Sequence, residues 1–487
     1  MPANANTIPL EQVDACCWRI PKRYKPGMRV DGLIFADDRL IEQIKGDQAL
    51  EQVANVAFLP GIQTASFAMP DIHWGYGFCI GGVCATDPAE DGVVSPGGVG
   101  YDINCGVRLM RTNLRVDEVQ PRLKTLVETL YRRIPTGVGR SGKYHFGPSE
   151  LQQLLAEGVG FLYQRGLATE RDVDCTEARG CIDEALPTNV SDRAVERGAN
   201  QCGTLGAGNH FLEVQVVDQI VDERAAAAME LEKDMVCVLI HSGSRGLGYQ
   251  VCDDALRMFR SVPAVHGIEL PDRQLACAPI NSPEGQHYIG SMRAAANFAF
   301  CNRQLLMWQT REVFEDVFGR SWSDMDMQLV YDIAHNIAKF EQHRVDGKVK
   351  TVCVHRKGAT RAFPPGHPEL PQRYREIGQP VIIPGDMGRA SWILAGAPGS
   401  MERSFGTTCH GAGRAMSRTA AAKDARGRRI DQELLAKGIV VRARSWKGLA
   451  EEQPKAYKDV DLVVDVVHKA GLSTKVARLR PIGVIKG

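Results

Sequence analysis

Apolar residues return every three or four positions in six stretches, and each predicts a helix: Asp37–Ala57 (Leu40, Ile41, Ile44, Leu50, Val53), Leu123–Leu130, Ser149–Leu162, Asp253–Phe259, Ser291–Val317 and Val460–Ala470. Alternating or β-branched runs predict strands at Val107–Leu114, the tail of Ala199–Val217, Met235–Ile240, Thr351–Val354, Val381–Ile383 and Val476–Leu479. Pro60–Gly106 fits neither period. Glycine or proline recurs there every few positions, with Phe78, Ile80, Val83, Val93 and Val94 interleaved, so the stretch reads as loops folded into a site. Periodicity alone would permit a division near residue 150 or 320.

Polar loops follow the buried runs. Met235–Ile240 delivers His241-Ser-Gly-Ser-Arg245, and Val381–Ile383 runs into Pro384-Gly385-Asp386-Met387. The end of a buried strand is a usual place for a ligand. Phe405–Lys423 reads as a loop opening a helix, with His410 at or near its N-terminus. Free N–H groups there favour a phosphate, and the same field opposes protonation of an imidazole. Two nucleotide motifs fail. Gly137–Tyr144 nearly fits a Walker A loop, but Tyr144 stands where the Mg²⁺-binding hydroxyl belongs, and Gly147 and Pro148 argue against a following helix. The glycines at 203, 206 and 208 precede a strand and do not open a helix, which excludes a Rossmann fingerprint.

Composition narrows the class. The 487 residues are 44% hydrophobic and 24% charged, as in a globular protein with ample core. Fifty-nine basic and 58 acidic residues give a net charge of +1, which neither supports nor excludes a nucleic-acid partner. The basic cluster Arg426, Arg428, Arg429, Arg442, Arg444 and Lys447 is of a kind that is usually a solvated face. The 14 cysteines are scattered with no C-x-x-C pair, against zinc ribbons and disulfide scaffolds. No signal peptide and no bilayer-length apolar run is evident, so a reduced, cytoplasmic enzyme is expected, with thiols free to bind metal.

The candidate chemistry centres on Gly98–Val107. Asp102 and Cys105 lie between glycines, and one thiolate can hold two cations while the carboxylate closes on one of them. The bland alternative is a buried cysteine beside a turn-capping aspartate. His210, His241 and His335 stand at strand or loop junctions and supply the remaining donors. His73 is a further candidate, although a turn histidine is the commoner reading. Two ions sharing Cys105 would suit phosphoryl transfer. Sulfur and imidazole suit Zn²⁺ equally, so ligand type does not choose the metal.

Six motifs, in order, resemble the RtcB RNA ligase family: Gly-Tyr-Asp102-Ile-Asn-Cys105-Gly-Val-Arg, Gly-Ala-Gly-Asn209-His210-Phe-Leu-Glu213, His241-Ser-Gly-Ser-Arg245-Gly, His335-Asn336, Cys-His410-Gly-Ala-Gly-Arg414 and the terminal Gly-Val-Ile-Lys486-Gly. The resemblance runs from about residue 18 to the C-terminus. It implies one α+β domain over residues 1–487, with a short lead-in over 1–17 and β-sheets flanked by helices around a deep di-metal cleft. It implies a GTP- and Mn²⁺-dependent ligase joining RNA 3′-phosphate or 2′,3′-cyclic phosphate ends to 5′-hydroxyl ends, in tRNA splicing or RNA repair. His410 would carry GMP covalently. Asp102, Cys105 and His210 would bind one Mn²⁺, and Cys105, His241 and His335 the other. Asn209, His210, Phe211, Leu212, Glu213, His335, Asn336, Pro384, Gly385, Asp386, Met387, Ser391, His410, Gly411, Ala412, Gly413, Tyr457 and Lys486 would surround the nucleotide, and Arg197, Arg245 and Arg414 would meet RNA phosphates. Asp386 stands where some relatives carry Ser or Thr. Lys486, two residues in by position from a chain end that ordinarily frays, would place a cation by the nucleotide. A monomer with an archease-type activator is the implied assembly. The rival reading is a di-metal cyclic phosphodiesterase, which needs the Asp/Cys/His donors but not His410.

Overall fold

Met235–Ser242 is buried along its whole length and sits inside the larger of two sheets. The computed structural model describes residues 8–487. The larger sheet has the order Gln328–Ala334, Gly106–Arg115, Met235–Ser242, Phe211–Ile220, Ser473–Lys486, Ser391–Gly396, Pro380–Ile383, and Val440–Ala443 pairs in parallel with the end of Ser473–Lys486. The second sheet runs Glu11–Asp14, Cys17–Ile20, Asp31–Phe35, Ile62–His73, Ile80–Thr86, Lys348–Lys357, Asn336–Val345. The chain leaves the first sheet at Ala334 and joins the second at Asn336, so His335 is the one residue between them.

Register gathers the chemistry at one end of the larger sheet. Gly106 pairs with both Ser242 and Ala334, and Phe211 pairs with both His241 and Lys486. Cys105, His210, His241 and His335 are each at, or next to, one of these paired positions, and therefore converge. Glycine is needed at 106, because a Cβ there would lie 2.1 Å from the Ile333 carbonyl and 2.9 Å from the Arg303 guanidinium.

Pro283–Phe318 is the spine, a 36-residue helix about 54 Å long at 1.5 Å per residue. Ser282 caps its start by accepting from the Gly285 N–H, Pro283 suits its first turn, and Gly319 ends it at φ +69°. Most of it is buried, which brings polar side chains inside: Arg303, Arg311, Asn302 and Gln304. Each is satisfied. Arg311 pairs with Asp172, and Arg303 and Arg108 share Asp332.

The sequence expectations change in six places. The helix expected over Asp37–Ala57 is two, Asp38–Ile44 and Ala49–Val56, divided at the Gly46 turn. The one over Ser149–Leu162 is Pro148–Glu157 and Val159–Tyr163, broken where Gly158 takes φ +57°. A helix does follow the near-Walker loop, because Pro148 fits a first helical turn, and Lys143 pairs with Glu312. The helix expected from Asp253 begins at Arg245, its glycine-rich first turn being held by tertiary contacts. Pro60–Gly106 contains two long strands as well as loops, Ile62–His73 and Ile80–Thr86. The last strand spans Ser473–Lys486 and lies inside the sheet, so the chain end is held and Lys486 is buried. Of the expected lead-in over 1–17, residues 1–7 lie outside the described residues, and Glu11–Asp14 forms the sheet's edge. No helix among the described residues is long and apolar enough to cross a membrane.

Candidate active site

The loop before Gly106–Arg115 is pinned from three sides. Asn104 adopts φ +51°, its N–H donates to the Asn336 carbonyl (2.7 Å), and its side-chain amide donates to the Ala296 carbonyl (2.7 Å). Arg303 donates to the Asn104 carbonyl (2.7 Å), to Asn104 Oδ1 (3.0 Å) and to the Ser242 carbonyl (3.0 Å). One buried guanidinium thus fixes both the Asp102–Cys105 turn and the end of the His241 strand. Asp102 reaches in close beside Gly243, where a Cβ would lie 2.4 Å from its carboxylate.

Cys105 Sγ lies 3.4 Å from His210 Nε2 and 3.2 Å from His241 Nε2. His241 Nε2 is 3.3 Å from His335 Nε2, and His210 Nε2 is 2.8 Å from Asp102 Oδ2. Two donor groups result, Asp102/Cys105/His210 and Cys105/His241/His335, each within 4.8 Å and sharing the sulfur. His210 Nδ1 faces the Leu205 carbonyl at 3.1 Å and so carries a proton. In the neutral ring Nε2 then holds a lone pair that faces the Asp102 carboxylate, acceptor against acceptor, with the Cys105 sulfur alongside. A cation between them removes that conflict, so the donor set fits a bound divalent metal.

Electrostatics agree with this fit. Burial, reinforced by neighbouring histidines, pulls His241 and His335 well below the ordinary imidazole range and keeps both neutral. Burial raises the Cys105 thiol well above its usual value, and the Asp102 charge adds to that. A divalent cation is what would make it a thiolate. Burial opposes the charge on Asp102, but positive charge on its His210 side, from a second ring proton or from a bound cation in that proton's place, together with Arg245 outweighs it and holds the carboxyl at about 2.

His410 shares a cavity of about 240 Å³ with Asp102, Cys105, His241 and His335, and its ring centre is 5.0 Å from that of His335. It follows the strand Thr407–Cys409, and the next helix begins only at Arg418. The expected helix N-terminus is therefore not there, since Gly411 and Gly413 hold the chain in a loop. A carboxylate stands in its place. Asp71, fully buried, accepts from the N–H groups of His410 (3.0 Å) and Gly411 (3.2 Å). Its Oδ2 lies 2.5 Å from His410 Nδ1, off the line of a well-directed hydrogen bond. Burial opposes the charge of Asp71, yet His410 and the Lys458 ammonium hold the carboxyl below its ordinary value. Lys458 in turn donates to the Pro70 (3.3 Å) and Ile72 carbonyls. The sequence reading missed Asp71 and Lys458. The only signal for Asp71 was its place in Met69-Pro-Asp-Ile-His73. His73 also lines the cavity, where its Nδ1 meets the Asp71 carbonyl at 3.0 Å and burial draws it down to about 4.

The other expected nucleotide contacts fall into two layers. Asn209, Phe211, Asn336, Pro384, Gly385, Gly411, Ala412, Gly413 and Tyr457 line the cavity itself. Asn336 spends its side-chain amide on the Asp102 carbonyl and the Gly358 N–H. Glu213, Asp386, Met387, Ser391 and Lys486 are buried beyond that lining. Lys486 lies 3.7 Å from Glu452 and 5.4 Å from the Phe211 ring centre, and Gln215 bridges Glu213 to Ser391. Strand alternation turns Leu212 away from Phe211 and Glu213, into the core. Of the three arginines, Arg197 is exposed and Arg245 is partly buried against Thr204. Arg414 is engaged by Glu452, the Glu451 and Met416 carbonyls and the Tyr457 ring. The later basic cluster is largely neutralised, with Arg428, Arg429, Arg442 and Lys447 each paired to an acid.

Burial lifts Glu213 to about 7 against the pull of Gln215 and Lys486, and lifts Asp386 to about 6. A carboxyl raised in the folded state binds its proton more tightly there than in the unfolded chain. Its contribution to stability is complete below the unfolded pKa of 4.5 and is lost as pH rises to about 7. Glu213→Gln removes that loss. At pH 8 the variant is expected to be more stable than the parent by about 2–3 kcal/mol, with no advantage at pH 4, as read by denaturant titration at both pH values.

The family model described as tRNA-splicing ligase RtcB matches residues 52–487. A tRNA-splicing ligase RtcB of Thermococcus kodakarensis is 54% identical over 480 residues, covering 99% of each chain. One of Archaeoglobus fulgidus is 54% identical over 478 residues, covering 98% of this chain and 99% of its own. An RNA-splicing ligase RtcB of Mycobacterium bovis is 52% identical over 438 residues, covering 90% of this chain and all of its own. With a shared-sulfur donor set beside a carboxylate-braced histidine, and a family match that takes in every residue of that site, this chain belongs to the RtcB family of tRNA-splicing ligases.

Proposed function

We propose that the protein joins RNA 3′-phosphate or 2′,3′-cyclic phosphate ends to 5′-hydroxyl ends, using GTP and two Mn²⁺ ions, through GMP held covalently on His410. The observation that carries this reading is the single cavity shared by His410 and both donor groups. Asp102, Cys105 and His210 would hold one ion, and Cys105, His241 and His335 the other. Bound there, Mn²⁺ would neutralise phosphate charge and polarise the reacting phosphate.

The chain's own groups do the rest. Asp71, beside Nδ1 of His410, would accept its proton's hydrogen bond once the ring turns into line, which leaves Nε2 as the reacting nitrogen. Nε2 forms a bond to the α-phosphorus of GTP as the bond to pyrophosphate breaks. The RNA 3′-phosphate then takes the guanylate from His410, and the 5′-hydroxyl displaces GMP to close the new phosphodiester. A cyclic end is opened first by water. Phe211, Tyr457 and the Pro384–Gly385 turn wall the nucleotide, with Lys486 and Glu213 behind them. Arg197, Arg245 and Arg414 would meet RNA phosphates; Arg414 lines the cavity itself while Glu452 and the Glu451 carbonyl orient it. Family resemblance supports a monomer served by an archease-type activator, in tRNA splicing or RNA repair.

The test supplies two RNAs, one with a labelled 3′-phosphate and one with a 5′-hydroxyl, together with GTP and MnCl₂. A joined product that retains the labelled phosphate at the junction supports the proposal. Opening of cyclic ends without joining would replace it with a phosphodiesterase. Asp71→Asn is expected to slow adduct formation by roughly 10²–10⁴-fold with binding of GTP little changed, because it loses the carboxylate that sets the ring's tautomer and orientation. Single-turnover rates against a GTP titration check this.

A further inference from the structure

Beside the cleft runs an aromatic shelf of which the proposed chemistry uses only Arg197. Tyr101, next in sequence to Asp102, stacks on Tyr249 (centroids 4.8 Å apart, planes 25°) and meets Tyr76 edge-on at 5.8 Å. The Arg197 guanidinium lies over the Tyr249 ring at 4.9 Å, held by Gln250. Tyr249 is 45% exposed. Trp74 stands in sequence between His73, which lines the cleft, and Tyr76. It is 57% exposed, and among the described residues its ring stacks on no aromatic side chain and its indole N–H has no partner. Tyr76 and Tyr101 also wall a neighbouring cavity of about 750 Å³, whose other side carries Arg257, Arg260 and Arg273. Arg257 is paired with Asp253, whereas Arg260 and Arg273 are exposed and have no ion-pair partner among the described residues.

A bare indole, a tyrosine column tipped by a guanidinium, and unpaired arginines alongside answer one chemistry. Aromatic faces take unpaired bases, and the cations take the phosphates between them. The cavity also carries apolar side chains, Leu256, Phe259, Ile268 and Leu270, but at the cleft end the groups on offer are flat rings and unpaired cations, which suit bases and phosphates. Starting beside Asp102 and leading away from it, the shelf suits the nucleotides next to a reacting end.

We propose that Trp74 and the Tyr76–Tyr101–Tyr249–Arg197 column, with Arg260 and Arg273, bind unpaired nucleotides of the RNA strand leaving the cleft, and so favour single-stranded ends over duplex ones. This rests on the RNA-joining reading above. Bases stack on the shelf, and no bond is made or broken there.

The test uses a short 3′-phosphorylated RNA, fluorescently labelled, in fluorescence anisotropy at fixed salt, with the same RNA carrying abasic sites near its 3′ end for comparison. Trp74→Ala is expected to weaken binding of the intact RNA roughly tenfold, Trp74→Phe to recover most of it, and the abasic RNA to bind parent and Trp74→Ala alike. Guanylate adduct formation with labelled GTP should be the same in all three proteins. The double variant Arg260→Gln/Arg273→Gln should flatten the slope of log affinity against log salt by roughly 0.7 for each phosphate left without its arginine. The shelf is overturned if Trp74→Ala binds like the parent, if Phe fails to rescue, or if the abasic RNA shows the same loss. Its phosphate half is overturned if the salt slope is unmoved. A parent protein that binds RNA through Trp74 yet forms no guanylate adduct would refute the ligase reading and leave the shelf standing.

Discussion

Cys105→Ala is expected to bring guanylate adduct formation and RNA joining down by at least about 10³-fold, since on the proposed reading several kcal/mol of charge stabilisation at the reacting phosphate would come from two bound metals. The reason is geometric. Both donor groups contain this sulfur, so one substitution reduces each of them to two ligands. Manganese content after dialysis should fall from two ions per chain towards none. The fold should survive, because the side chain is small and the turn is held by Arg303 and Asn104 rather than by the thiol. Cys202→Ala is the control: Cys202 is also fully buried but belongs to neither group, and full activity is expected. Metal analysis alongside adduct rates decides the matter, and full activity with one retained ion would rule out the shared sulfur.

Asp332→Ala is expected to be the most destabilising of these single changes, at about 3–5 kcal/mol. Asp332 is fully buried and is the counter-ion of two equally buried guanidiniums, Arg108 (2.7 Å) and Arg303 (2.8 Å). Removing it leaves two positive charges inside the protein without a partner. Arg303 would then lose its orientation, and with it the Asp102–Cys105 turn and the end of the His241 strand. Denaturant unfolding measures the loss, and a change below about 1 kcal/mol would show that neither arginine depends on that carboxylate. Residual folded variant should also bind Mn²⁺ more weakly, which distinguishes this buried network from a purely structural ion pair.

How much of this was legible in the chain varies by element, for physical reasons. The donors stood out because Asp102, Cys105 and His210 lie in glycine-rich loops leading into strands and His241 and His335 stand at or next to strand ends, and the register brings those ends together. Strands with a clear period, such as Met235–Ser242, were readable, while Ile62–His73 was hidden by the glycines and prolines around it. Asp71 could not be seen as the partner of His410, because 339 residues separate the two and only the closed fold joins them. The expectation that a helix dipole serves His410 failed for a related reason. A local pattern of glycines before alanines looks like a helix start, but Gly411 and Gly413 extend the loop, and a buried carboxylate occupies the position instead. Lys486 looked frayed by its position in sequence, yet pairing with Phe211 holds it inside the sheet.

The most direct measurement is the mass of the intact protein after incubation with GTP and MnCl₂, followed by peptide mapping of the product under conditions that spare a phosphoramidate. A gain of one GMP is predicted, mapping to His410, absent with ATP and absent from His410→Ala. No mass gain, or an adduct that persists in His410→Ala, would contradict a nucleotidylated histidine at the heart of this site.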